Sequence, residues 1–162
     1  MFKSLRGLLA AFACLLALAA TPAMAKNVTA SLDEIANLLR SKGKKVEIRG
    51  TGIERFVWVS NPDAYTYSID VMSCDQGTQK NCKSVQFHSG FTAEQPITPD
   101  AIQKYARDHR FGRTFLDSEG QPAIQYDINL AEGGISEGLF LDNVELWEVM
   151  IEIFGDFVFG KE

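Results

Sequence analysis

The chain has 162 residues, a formal net charge of −5 and 46% hydrophobic residues, so it is long enough to bury a hydrophobic core without the help of metals or many disulfides. Its acidic balance disfavours nucleic acid or an anionic membrane as partner, because either needs a basic face that releases counterions. There is no internal repeat and no low-complexity tract.

The first 25 residues read as a secretory signal. Lys3 and Arg6 precede an apolar run from Leu8 to Ala20, and Ala23-Met24-Ala25 supplies small residues for cleavage before Lys26. The run is too short to span a bilayer, for which about 20 residues are needed. Cys14 sits in the middle of that run, an unsuitable place for a lipidated cysteine. Removing 25 of the 162 residues leaves 137, expected to form one domain over 26–162, periplasmic or secreted, with no stable membrane insertion. The leader holds two basic residues and no acidic one, so the mature balance is 14 basic against 21 acidic, a charge of −7.

Ser31-Leu32-Asp33-Glu34 has capping-box form, with Leu32, Ile35, Ala36 and Leu39 at helical spacing and Gly43 as terminator. From Val46 to Phe91 the period falls to two. Four strands are predicted: Val46–Arg49, Arg55–Val59, Tyr65–Val71 and Lys83–Phe91, with Asn61-Pro62-Asp63 as a turn before the third. Thr98-Pro99-Asp100 opens a second helix ending near His109. Arg113–Asp117 and Ala123–Leu130 form an antiparallel hairpin around Ser118-Glu119-Gly120-Gln121. A last helix, Ser136–Phe157, carries Phe140, Val144, Trp147, Ile151, Phe154 and Val158 in one stripe, and Leu146, Met150, Ile153 and Phe157 in a second. One reading lays this helix across the sheet; the other makes one stripe a homodimer seam.

Cys74 and Cys82 remain after the leader is removed, an even pair that suggests a disulfide in an oxidising compartment. The rival is a metal site built with His88 or Asp75, for which a convincing four-ligand set is lacking. A basic cluster, Lys104, Arg107, His109, Arg110 and Arg113, stands out in an acidic chain. It reads either as a solvated helix face or as a docking patch for acidic groups. No catalytic set is expected: His88 falls on the polar face of a strand, and Ser73, Ser84 and Ser89 have no nucleophile-elbow context. Asp117 and Glu119 flank a turn, and Gly133-Gly134 is a weak anion signal beside Glu132 and Glu137. No cofactor fingerprint is present.

Arg110-Phe111-Gly112-Arg113-Thr114-Phe115-Leu116-Asp117, Glu119-Gly120-Gln121-Pro122, Tyr126-Asp127-Ile128-Asn129-Leu130, Gly133-Gly134-Ile135-Ser136 and Asp142-Asn143 with Leu146-Trp147 carry a likeness. On these residues the chain resembles the YbjN-domain family of bacterial sensory transduction regulators, from Ser31 to Phe157. Exported members are similar in placing a cysteine on either side of a short polar loop, as Cys74 and Cys82 stand here. The resemblance implies an α+β fold of order α-β-β-β-β-α-β-β-α, with an antiparallel sheet packed against helices as in type III secretion chaperones. It implies binding rather than catalysis and carries over no catalytic residue. The leading expectation is an exported, non-enzymatic, chaperone-like adaptor for a polypeptide partner, through Lys104, Arg107, Arg110 and Arg113 or through Trp147, Ile151 and Phe154 on the last helix. A small-ligand sensor domain and an envelope enzyme are the alternatives.

Overall fold

The computed structural model describes residues 26–61 and 65–161. The expected leader and the Pro62-Asp63 part of the expected turn lie outside those residues. In chain order the elements are β1 (Asn27–Val28), α1 (Leu32–Ser41), β2 (Lys45–Arg49), a 3-10 turn (Gly52–Glu54), β3 (Phe56–Ser60), β4 (Tyr67–Met72) and β5 (Ser84–Gly90). Then follow α2 (Pro99–Asp108), β6 (Arg113–Leu116), β7 (Pro122–Asn129), β8 (Ile135–Ser136) and α3 (Glu137–Val158). The fold is α+β, as expected. Six antiparallel strands form one sheet in the order β2-β3-β4-β5-β7-β6, and β1 pairs with β8 in a small ribbon.

Every expected helix and strand of the main sheet is present, with ends displaced by one or two residues. The local chemistry explains the boundaries. Ser31 accepts from the Glu34 amide at 3.4 Å and starts α1, while Thr98 accepts from Ala101 at 3.2 Å with Pro99 at the first turn of α2. The capping box differs in one respect: the Glu34 carboxylate reaches back to the Thr29 amide and hydroxyl, at 3.1 and 2.6 Å, rather than to Ser31. Gly43 closes α1 at φ +82°, a left-handed conformation that costs a glycine little. One feature was not foreseen. The β1–β8 ribbon is only two residues per strand, below the length at which alternation can be read, and Gly134 permits it, since a Cβ there would meet the Val28 carbonyl oxygen at 2.1 Å.

Alternation decides what the main sheet does with its two faces. Val57, Val59, Tyr67, Ile69, Val71, Val85, Phe87, Ile124 and Ile128 point to one side and are buried. The second side carries polar and half-exposed residues. α3 brings Phe140, Val144, Trp147, Ile151, Phe154 and Val158 against the buried side, and α1 adds Leu32, Ile35, Ala36 and Leu39. Trp147, fully buried, sits 6.0 Å from the Tyr67 ring and 5.7 Å from Phe87, centroid to centroid. Its indole N–H has no acceptor among the described residues, a cost of about 1–3 kcal/mol that burial of the ring must exceed. Two polar pins fix the azimuth of α3. Tyr67 donates to Glu148 at 3.0 Å, with Lys44 on the same carboxylate at 2.5 Å, and Tyr126 donates to Asn143 at 2.6 Å. Burial beside the Glu148 carboxylate pushes the Tyr67 phenol far up, so it remains a donor.

The expected partner surface on Trp147, Ile151 and Phe154 is therefore corrected: their exposures are 0, 2 and 0%. The sheet takes this stripe whole because the helix runs across it, and no apolar area there is left for another chain.

Cys74 and Cys82 are bonded, with Cα atoms 3.8 Å apart, and the loop between them is tied down by Gln79, which donates to the carbonyls of Ile53 and Arg55 at 3.0 and 2.7 Å. No three metal-ligating side chains converge among the described residues.

Two expectations follow. Reduction, or Cys74→Ser with Cys82→Ser, lowers unfolding stability by about 2.5 kcal/mol, the loop-closure value for so short a loop, read from urea midpoints; an unchanged midpoint would show the bridge to be dispensable. Gly155→Ala places a Cβ 2.3 Å from the Tyr65 ring, which is held by Phe91 at 5.1 Å and Phe159 at 6.2 Å. The variant loses about 1–3 kcal/mol despite the better helix propensity of alanine, and Tyr65→Ala in the same chain recovers part of the loss.

Candidate functional site

The second stripe of α3 is only partly covered. Met150 is buried, Leu146 and Phe157 are half-buried, and Val149 and Ile153 are 52 and 39% exposed. Opposite them lie the C-terminal turn of α2 and the Asp108–Gly112 connection into β6. Between the two runs a groove of about 300 Å³ lined by Tyr105, His109, Phe111, Leu146, Val149 and Ile153, among others.

The wall opposite α3 is built from a sequence that leaves the helix abruptly. His109 adopts extended backbone after α2, and its ring stacks on Tyr105 with centroids 3.8 Å apart. Phe111 follows at φ +75°, a left-handed conformation, with 59% of its surface exposed. A bulky non-glycine residue there carries strain of order 1–3 kcal/mol, and an exposed aromatic gains little burial to offset it. Gly112 lets the connection close down on β7, since a Cβ at that position would meet the Ile124 side chain at 2.7 Å.

The basic residues divide between two surfaces. Lys104 and Arg107 are exposed on α2, and neither pairs with a carboxylate among the described residues. Arg110 lies over the Phe111 ring at 4.8 Å, at the mouth of the groove. Arg113 faces the other way: it lies opposite Gln125 in the β6–β7 ladder, bonds its side chain, and stacks over Phe115 at 5.1 Å on the outer side of the sheet. The strand alternation reverses it relative to Thr114. Of these, Arg110 alone lines the groove, beside Asp108; Lys104 and Arg107 are exposed on α2 outside its lining, and Arg113 faces the other side of the sheet.

The outer face carries the titratable residues with the clearest perturbations. Burial pushes His88 below its ordinary range, with Asp70 and Asp117 acting against that shift, and burial raises Asp70 although Ser68 bonds it at 3.0 Å. The Ser68 hydroxyl gives its proton to a carboxylate rather than to an imidazole, which is not the arrangement that activates a serine nucleophile. Sequence reading placed His88 on a polar strand face, where it is, and missed Phe111 as a site residue. The signal was available only in part: Phe111 precedes a glycine in a polar connection, but its backbone strain and exposure arise from how β6 docks.

Phe111→Gly is expected to keep or raise stability, by up to about 1 kcal/mol, while removing the groove's outer wall; a large destabilisation would make Phe111 a packing residue instead. The His88 shift has a defined sign. A histidine held neutral by the fold binds its proton more readily unfolded, so stability is lost as pH falls below about 6.5. A His88→Gln variant is expected to show a flatter urea midpoint across pH 7 to 5, tested by titrating both proteins.

A family model described as "Putative bacterial sensory transduction regulator" matches residues 31–159, the span that contains the sheet, the three helices and the groove. No curated protein and no solved structure shows significant similarity to the chain. On a match that covers well over half its length, the chain belongs to the YbjN family.

Proposed function

We propose that this YbjN-family chain is an exported, chaperone-like adaptor that holds an acidic amphipathic polypeptide segment in the groove between α3 and the α2–β6 connection. The single observation that carries this reading is Phe111, an exposed aromatic kept in a left-handed backbone at the groove's edge. Strain of that kind persists where a function uses it. The floor supplies Leu146, Val149 and Ile153 at helical spacing, which suits the apolar face of a docked helix. The mouth carries Arg110 beside Asp108, and Lys104 and Arg107 stand exposed on the adjoining helix in a chain of net charge −5, where arginine forks favour a carboxylate-bearing partner. The regulator description of the family accords with binding. The Cys74–Cys82 bridge fits an oxidising compartment, and among the described residues no helix is long and apolar enough to cross a membrane.

The test uses the full chain as bait against envelope extract, with crosslinked partners identified by mass spectrometry and compared across variants. Capture is expected for the wild type and lost for Val149→Glu with Ile153→Glu, while circular dichroism shows both folded. Arg107→Glu with Arg110→Glu weakens capture by about tenfold or more. Capture indifferent to all four substitutions would remove the groove from the account. A wild-type dimer in sedimentation that Val149→Glu dissociates would assign the groove to a second copy of the chain.

A further inference from the structure

The outer face of the sheet has an organisation that a merely solvated surface does not require. Strand register places Glu47, Trp58, Ser68, His88, Gln125 and Arg113 directly opposite one another, one residue from each of the six strands. At an inter-strand spacing of about 4.8 Å this row runs roughly 24 Å across the sheet. A second, shorter row of Asp70, Gln86 and Asp127 lies beside it. Among the described residues no helix covers either.

We propose that this face is a platform for a neutral oligosaccharide strand lying across the β-strands. Two kinds of side chain that hydroxyl-rich ligands use together occur along it. Planar groups that can both donate and accept, Gln86, Gln125 and His88, stand beside carboxylates and guanidinium forks that bond adjacent hydroxyls in pairs. Aromatic rings mark both ends: Phe56 and Trp58, 6.5 Å apart edge to face, on the β3 side, and Phe115 on β6. Each end also carries an exposed arginine over its ring, Arg49 at 4.6 Å from Trp58 and Arg113 at 5.1 Å from Phe115, which puts a hydrogen-bonding fork next to an apolar plane.

Charge selects the ligand class. The outward strand residues Lys45, Arg49 and Arg113 balance Glu47, Asp70 and Asp127, and Asp117 just past β6 adds one negative charge near His88, so this face is close to neutral in a chain of net charge −5. Several of the polar groups are held in fixed positions: Gln86 donates to Asp127 at 3.1 Å, Ser68 to Asp70 at 3.0 Å, and Arg113 to Gln125. Such a surface offers an anion or a cation no net attraction, while its paired donors and acceptors match neutral hydroxyls. Half-burial of His88 and Asp70 on an open sheet face, with the resulting shifts, is the electrostatic counterpart of the same crowding.

This inference concerns the side of the sheet away from the groove and stands or falls separately from the polypeptide reading. The chain contains two tryptophans, and Trp147 is 0% exposed, so a ligand on this face is reported by Trp58. The full chain would be titrated with cellohexaose, chitohexaose and maltohexaose, following tryptophan emission and, independently, heat by calorimetry. At least one is expected to give a saturable response in both, unchanged when salt is raised about tenfold. Gln86→Ala and Gln125→Ala each weaken binding by about tenfold; Trp58→Phe abolishes the emission change while circular dichroism shows the fold kept. Val149→Glu leaves the response intact. No response from any of the three sugars overturns the proposal, as does binding indifferent to the Gln86 and Gln125 substitutions or binding lost only in Val149→Glu, which would put the sugar in the groove.

Discussion

The burial of Trp147 between the Tyr67 and Phe87 rings is the contact on which the rest of the molecule depends. α3 spans 22 residues and could present its broad apolar surface in several rotations about its axis. With Trp147 seated, Phe140 comes 6.3 Å from Phe87 and Phe154 5.4 Å from Phe91, so the helix carries two ring clusters, one around Trp147 and Phe87 and one around Phe154 and Phe91. Each such pair adds about 0.5–1.5 kcal/mol beyond its buried area. The hydrogen bonds from Tyr67 to Glu148 and from Tyr126 to Asn143 permit only that rotation, because each tyrosine must reach its partner from beneath the helix.

Two surfaces are left over once this choice is made. Rotating α3 so that Trp147 faces the sheet turns Val149 and Ile153 toward α2, whose end stops short of covering them, and the groove results. All three helices lie on the apolar side, so the other side of the sheet keeps its polar rows open. A one-sided sheet of this kind must carry alternating residues, which is why a polar row as ordered as Trp58-Ser68-His88-Gln125 is visible in the register. The groove is apolar, with Arg110 and Asp108 at its rim; the outer face is polar. The two surfaces differ in chemistry and lie on opposite sides of the sheet.

Much of the fold could be read from the residues in order, since it rests on local signals. Ser31 and Thr98 cap the helices that they were expected to cap, and Tyr67, Ile69 and Val71 alternate as a half-buried strand must. The bridge between Cys74 and Cys82 was among the expectations as well. What escaped was set by tertiary geometry. Both stripes of α3 are apolar in sequence, and nothing local says which one meets the sheet; the choice falls to Tyr67 and Phe87, which lie far away in the chain. That is why Trp147, Ile151 and Phe154 looked available for a partner and prove to be core. Arg113 looked continuous with Lys104, Arg107 and Arg110 because it is near them in sequence, yet entering β6 turns it to the opposite face. Phe111 gave no warning of its backbone, since a left-handed aromatic is a consequence of how the connection is stretched between α2 and β6.

The central claim is that α3 spends one apolar stripe on the sheet and offers the other to a polypeptide. Photo-crosslinking residues installed singly at Val149 and at Gln86 in the full chain, in living cells, test it most directly. The account predicts polypeptide adducts from position 149 and none from position 86. Adducts from position 86 with none from 149 would contradict it.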